Sequence, residues 1–223
     1  MKHGFNSNPV EHVDDLHHLD LSSIAPLPRS FFKRDTIIVA RELLGQLLVR
    51  VYGGSILVGR VVEVEAYKGL EDPASHAFRG NKGRASIMFG EVGYAYVYFT
   101  YGNHFCLNVV AKDVHTAAGA VLFRAIEPLV GIDIMARNRG TARLVELTSG
   151  PGKLTKAFEI SRSFYGADLA RKGDLFLAKG WMGSSESVCS SPRIGITSAK
   201  EKQWRFYICG NPYVSKAKIT SSS

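Results

Sequence analysis

Cysteine is scarce in this chain of 223 residues: Cys106, Cys189 and Cys209 are an odd number, far apart, and no CxxC pair occurs. Neither a disulfide framework nor a cysteine-bound zinc is expected. Long apolar runs are missing too, and none approaches the ~20 residues that span a bilayer. Residues 1–20 lack the basic flank and apolar stretch of a secretory signal. The phosphate-loop pattern GxxxxGK(S/T) is absent, as is any internal repeat. These absences describe an intracellular protein without membrane attachment or structural metal.

What is present is an ordinary globular composition, 45% hydrophobic and 22% charged, which excludes a disordered or fibrous chain. The length suits one domain. Basic residues exceed acidic ones by 28 to 20, a net charge of +8. The first thirty residues are net −2, so the remainder carries +10. The basicity belongs to the body and points to a polyanionic partner.

Residues 1–28 hold four of the seven histidines without sustained periodicity and read as a flexible arm. Residues 218–223 read as a flexible tail, leaving 29–217 as the domain. Asp35 is placed to cap a short helix containing Ile37, Ile38, Leu43 and Leu44, with Gly45 just past its end. Runs 47–51 and 56–66 flank Gly53-Gly54 and predict a hairpin. Runs 94–101 and 105–110 predict a second hairpin around Gly102-Asn103-His104. A strand is expected over 121–126, and Pro128 is expected to open a helix through Arg137. Ser149-Gly150-Pro151 leads into another helix through Ile160. Short strands are expected at 175–178, 193–197 and 205–209. The pattern is α+β: a single domain with a curved antiparallel sheet flanked by helices.

Along 62–67, the two-residue side-chain period of a strand puts Glu63, Glu65 and Tyr67 on one face and Val62, Val64 and Ala66 on the other. Two carboxylates and a phenol on one face fit either a solvated strand surface or a reactive floor, and parity does not choose between Glu63 and Glu65. Four tyrosines fall within 94–101, where they serve as core residues or as flat faces for stacking nucleobases. A loop of 102–104 pairs Tyr101 with Phe105 and puts Tyr98 opposite Asn108, whereas a two-residue loop puts the two on opposite faces. Asn108, between Leu107 and Val109, needs a hydrogen bond if buried. Arg124 interrupts an apolar strand and needs an acidic partner among Glu63, Glu65 and Glu127. His76 lies in a polar loop, followed by the basic residues Arg79, Lys82 and Arg84. Gly152 and Lys153 at a helix start offer a seat for phosphate.

In order along the chain stand Ala40-Arg41-Glu42-Leu43-Leu44-Gly45, Glu63-Val64-Glu65-Ala66-Tyr67, Ser75-His76, Met88-Phe89-Gly90 and Tyr96-Val97-Tyr98-Phe99-Thr100-Tyr101-Gly102. They are followed by Phe105-Cys106-Leu107-Asn108, Leu122-Phe123-Arg124-Ala125-Ile126-Glu127-Pro128, Ser149-Gly150-Pro151-Gly152-Lys153-Leu154 and Arg193-Ile194-Gly195-Ile196. Over residues 31–215 this resembles the alkyladenine (methylpurine, 3-methyladenine) DNA glycosylase family. The resemblance implies a monofunctional base-excision repair enzyme that cuts damaged purines from duplex DNA as a monomer, with no cofactor or metal. It implies that Glu65 is the general base, with His76 and Arg124 helping to hold the attacking water. Tyr67, His76 and Tyr98 would sandwich the extruded base, and Asn108 would crowd the amine of normal guanine. Tyr101, on a protruding hairpin that enters DNA, would fill the gap in the duplex. Arg84, Gly152 and Lys153 would contact phosphates.

The chain departs from the family at Arg84-Ala85-Ser86, where many members carry Arg-Asn-Arg, so one basic and one amide side chain are missing from loop or phosphate contacts. Asn103 stands where a Met is often found, and the acidic arm has no counterpart. Two other functions compete. A non-catalytic nucleic-acid-binding module explains the basic, tyrosine-rich hairpin but has no need of a carboxylate beside it. A hydrolase of free nucleosides explains a pocket but not Tyr101 or the basic surface.

Overall fold

A computed structural model describes residues 24–100 and 102–216. The expected tail at 218–223 lies outside the described residues, as does the expected arm up to residue 23. From residue 24 the chain is described. Ile24 and Leu27 are buried, and the Leu27 amide donates to the Leu177 carbonyl at 2.9 Å.

The elements follow the polar and apolar pattern of the sequence. After a single turn, α1 (Arg29–Phe32), comes α2 (Thr36–Leu43), started where Asp35 Oδ1 accepts from the amides of Ile37 and Ile38 at 2.8 and 3.3 Å. Strands β1 (Leu47–Tyr52) and β2 (Ser55–Tyr67) pair from Leu47↔Arg60 to Tyr52↔Ser55. Only Gly53 and Gly54 turn the chain there, both at positive φ (54° and 79°), the conformation a two-residue hairpin requires. Next come β3 (Ala95–Thr100), β4 (His104–Val110), β5 (Ala120–Val130), α3 (Ile132–Arg139) and α4 (Pro151–Ala157). Strands β6 (Leu175–Ala178), β7 (Val188–Ser191) and β8 (Arg205–Ile208) complete the antiparallel sheet.

The strand order is β3-β4-β5-β2-β1-β6, with β8 joining β2 and β7. β2 has β5 on one side; on the other it gives up β1 after Arg60 and takes β8 at Glu63–Glu65. Register shifts against β5 leave Val62 and Arg124 without Cα partners. Such bulges re-aim side chains, and here they fall beside the two glutamates. One face of the sheet meets α2 and α4 through Val64, Ala66, Val109, Phe123, Leu43 and Leu154, all 0% exposed. Each valine, leucine or phenylalanine buried so fully contributes about 1.5–3 kcal/mol. A smaller cluster on Tyr96, Met88 and Ala120, with Tyr67 and Tyr98 against it, is separate from that core. The domain is α+β, as expected. Among the described residues no helix is long and apolar enough to cross a membrane.

Four expectations need correction. Pro128 lies inside β5, not at a helix start; it sits opposite Gly59 at a register shift, where a missing amide costs least. Residues 193–197 form no strand, because Pro192 ends β7 at Ser191 and the chain runs on irregularly. The second hairpin turns one residue earlier than expected. Thr100 pairs His104, so Tyr98 faces Cys106, and Tyr96 faces Asn108. Finally, Cys189 and Cys209 form a disulfide. Antiparallel β7 and β8 put Cys189 opposite Tyr207, which brings Cys209 diagonally beside it with 5.3 Å between Cα atoms. Sequence distance hides that proximity. Cys106 is the free thiol, and it is buried.

Candidate active site

The end of β2 forms the floor of a cavity of about 280 Å³, small even for a ligand site. Glu65, Tyr67, His76, Tyr98, Asn108 and Arg124 all line it. Residues expected to act together on the resemblance are thus brought together, from β2, the 68–82 loop, the β3–β4 hairpin and β5.

Glu65 is 0% exposed, so the strand face is not solvated. Its Oε1 accepts from the Ile194 amide at 2.7 Å and lies 3.2 Å from an Arg124 guanidinium nitrogen. Its Oε2 accepts from the Tyr67 hydroxyl at 2.8 Å. Glu63 is equally buried but absent from the cavity lining. It accepts from Nε of Arg124 (2.9 Å), Nε of Arg205 (2.7 Å), and both the amide and hydroxyl of Ser215 (2.6 and 2.8 Å). Arg124 therefore spans the two glutamates, while Glu127, the third candidate partner, pairs with Arg60. Burial works against the Arg124 charge, but Glu65 and Glu63 outweigh it and the guanidinium is held more firmly protonated than usual. Burial raises the Tyr67 phenol well above its ordinary value, and the Glu65 charge adds to this.

His76 stays open to solvent at the cavity rim. The withdrawal of water that pulls its imidazole below the ordinary histidine value is therefore partial, and the Arg84 cation adds to it. Nδ1 meets the Tyr96 hydroxyl at 2.9 Å, and the ring packs edge-to-face on Tyr98 with centroids 4.6 Å apart. Tyr96 and Tyr98 are both held as phenols, chiefly by burial. The Asn108 side-chain amide donates to the Tyr96 carbonyl at 2.9 Å, which fixes it in the cavity wall. Across from Tyr98 on β4, burial pushes the Cys106 thiol up to about 11.

The residues expected at phosphates lie outside this cavity. Arg84 has its guanidinium carbon 5.0 Å from the Tyr98 ring centroid and donates to the Phe99 carbonyl at 3.2 Å. Gly152 and Lys153 line an adjoining groove of about 800 Å³ between α4 and the β3–β4 hairpin. There a Cβ on Gly152 would come within 2.5 Å of the His104 ring, so only glycine allows this approach. Tyr101 lies outside the described residues. Three cavity features carried no role in the sequence reading: Tyr96, which holds His76; the Ile194 amide, which holds Glu65; and Cys106. Tyr96 was visible within the tyrosine run, whereas a backbone amide leaves no trace in side-chain identity. Among the described residues no cluster of three or more His, Cys, Asp or Glu side chains suits a metal ion.

The sequence model of the methylpurine-DNA glycosylase family matches residues 30–212. A protein of Carboxydothermus hydrogenoformans named "Putative 3-methyladenine DNA glycosylase" is 48% identical over 190 residues, 85% of this chain and 98% of that one. A protein of the same name from Koribacter versatilis is 47% identical over 199 residues, 87% and 95% of the two chains. A third, from Methanoculleus marisnigri, is 46% identical over 194 residues, 85% and 98%.

Proposed function

The chain belongs to the methylpurine-DNA glycosylase family, DNA N-glycosylases of DNA repair, and from that premise we propose a monofunctional excision of alkylated or deaminated purines from duplex DNA. The observation that carries the reading is a fully buried carboxylate, Glu65, on the floor of a cavity walled by Tyr67, Tyr98 and His76.

A stacked base hides its bond to the sugar, so the nucleotide must first be swung out at a cost of a few kcal/mol. Tyr101, next after Thr100 in the sequence, would enter the duplex and offset part of that loss. The base would slide against Tyr67 on one side and the paired rings of His76 and Tyr98 on the other. Aromatic faces attract a cation, which favours alkylated purines that carry charge. Asn108, held by the Tyr96 carbonyl, would leave no room for the exocyclic amine of guanine. Arg84 beside the cavity, and Gly152 and Lys153 in the adjoining groove, would receive the backbone phosphates.

The partners of Glu65 support a place for the water. A carboxylate oxygen has two acceptor positions. Oε1 accepts from the Ile194 amide and faces the Arg124 guanidinium as an ion pair, while Oε2 accepts from Tyr67. The remaining position on Oε2 would take the proton of the water attacking the anomeric carbon, and the water's oxygen would form the new bond as the base leaves with the old bonding pair. General-base help of this kind is worth about 10²–10⁴-fold. Tyr96 occupies His76 Nδ1, which leaves Nε2 to steady the water or the base.

The test is release of free base from labelled duplexes carrying 3-methyladenine, 7-methylguanine, hypoxanthine or ethenoadenine, followed by alkaline cleavage at the abasic site. At least one substrate is expected to yield breaks, and Glu65→Gln is expected to lose them while retaining duplex binding. No release from any of the four, or full release by Glu65→Gln, overturns the proposal.

A further inference from the structure

Arg193 lies outside the cavity lining yet touches the parts on which the cavity depends. Its side chain and that of Asp72 are both 0% exposed, and the two meet as a bidentate fork at 2.5 and 2.8 Å. One guanidinium nitrogen also donates to the Ala66 carbonyl at 2.9 Å. The guanidinium carbon stands 4.6 Å from the Tyr67 ring centroid and 5.1 Å from that of Trp204. The cation thus packs on one face of a ring that also lines the cavity. The next amide in the chain, that of Ile194, is the one that reaches Glu65.

Asp72 extends the same connection to the third wall. Besides holding Arg193, its carboxylate accepts from the amides of Lys68 and Ala74 at 3.3 and 3.1 Å, so it organises the loop that delivers His76. A single ion pair thus ties together the end of β2, the His76 loop and the segment carrying Ile194. Fold stability alone is a poor reason for it, because buried ion pairs give no more than apolar residues of similar volume and often less. Arg193 Nε is moreover buried without an acceptor among the described residues, a cost that calls for an explanation.

We propose that Arg193, held by Asp72, is a positioning residue for base excision: it sets the plane of Tyr67 against the extruded base and the register of the Ile194 amide on Glu65. This rests on the excision reading and deepens it.

The double variant Asp72→Leu/Arg193→Met exchanges the pair for apolar side chains and separates positioning from stability. Three quantities are measured: melting temperature, affinity for a 7-methylguanine duplex, and the single-turnover release rate at saturating enzyme. The expected result is a variant that still folds but melts several degrees lower, because the Lys68 and Ala74 amides and the Ala66 carbonyl lose their partners. Affinity is expected within about twofold, and release, measured where the variant is folded, slowed roughly 10- to 100-fold, the scale of small misplacements in an active site. A folded double variant that releases base at the parental rate overturns the positioning role. Arg193→Lys keeps a charge on Asp72 but loses the planar fork; it too is expected to fold and to release base slowly, and parental release there overturns the role even if the double variant misfolds. A parent that releases no base overturns the excision reading itself, an outcome distinct from equal rates in parent and variant.

Discussion

Glu63→Gln and Glu65→Gln remove the same charge from positions two residues apart on β2, but their surroundings dictate different losses. Glu63 receives four donors, from Arg124, Arg205 and twice from Ser215. An amide offers one acceptor oxygen where the carboxylate offers two, so its NH₂ would be forced against a donor. Arg205, 8% exposed, would lose its partner carboxylate. Breaking a buried pair from one side costs about 3–5 kcal/mol. In a chain of this length each kcal/mol is about 2–4 °C, so Glu63→Gln is expected to melt roughly 6–20 °C lower. At position 65 an amide fits: its oxygen can face Ile194 and Arg124, and its nitrogen can face the Tyr67 oxygen, which accepts as readily as it donates. Arg124 keeps Glu63. The fold is then expected to lose only about 1 kcal/mol, while excision falls about 10²–10⁴-fold. Calorimetric melts and single-turnover excision, run where both variants remain folded, test the division of labour. Equal melting temperatures refute it, as does an excision loss in folded Glu63→Gln as deep as that in Glu65→Gln.

The His76 imidazole is held below its ordinary value, first by partial burial and then by Arg84, so the unfolded chain takes up that proton before the folded one does. Stability is therefore expected to fall as pH drops below the ordinary histidine value near 6.5 towards the lower folded value, and His76→Gln should flatten this part of the melting-temperature profile; identical slopes in parent and variant refute it. The disulfide closes a loop with a sequence separation of 20, for which chain entropy gives about 3 kcal/mol. Cys189→Ser/Cys209→Ser should therefore melt roughly 6–12 °C lower, and an unchanged melt argues against any stabilising role for the bond. If Lys153 faces a phosphate, Lys153→Ala reduces the slope of log affinity against log salt by about 1; a parallel line removes that contact. Gly152→Ala puts a methyl within 2.5 Å of the His104 ring, and overpacking of this kind costs about 1–3 kcal/mol; a melt within a degree of the parent refutes the close approach.

Local rules made much of the fold legible. Asp35 signalled the start of α2, Gly53-Gly54 the first hairpin, and alternation along 62–67 the split between core and cavity. The misses arose where partners distant in sequence decide local structure. Pro128 looks like a helix start until a bulge in β5 supplies a place that needs no amide. Residues 193–197 look like a strand because Ile194 and Ile196 alternate with Gly195, yet Pro192 stops the ladder and Glu65 claims the Ile194 amide. The second hairpin was misplaced by one residue, which changes the partner of Tyr98 but not its face, so Tyr98 and Asn108 still meet in one cavity. Cys189 and Cys209 are neighbours only through the β7–β8 register.

Parity could not choose between Glu63 and Glu65, and the reason is physical. Both residues are fully buried and both touch Arg124, so composition and alternation treat them alike. What separates them is where β2 changes neighbours. Beyond Arg60 it exchanges β1 for β8, and β8 brings Arg205 to Glu63 while the chain after β7 brings the Ile194 amide to Glu65. Glu63 thereby accepts four hydrogen bonds, three of them on Oε1, and is left out of the cavity lining. Glu65 accepts from Ile194 and Tyr67 and lines the cavity. Arg124 and Arg205 offset the two carboxylates, so the buried group as a whole carries no net charge. On the proposed excision, a neutral group would exert a weaker field on a positively charged sugar than a bare carboxylate does, so the part given to Glu65 would rest on its place in the cavity lining more than on charge.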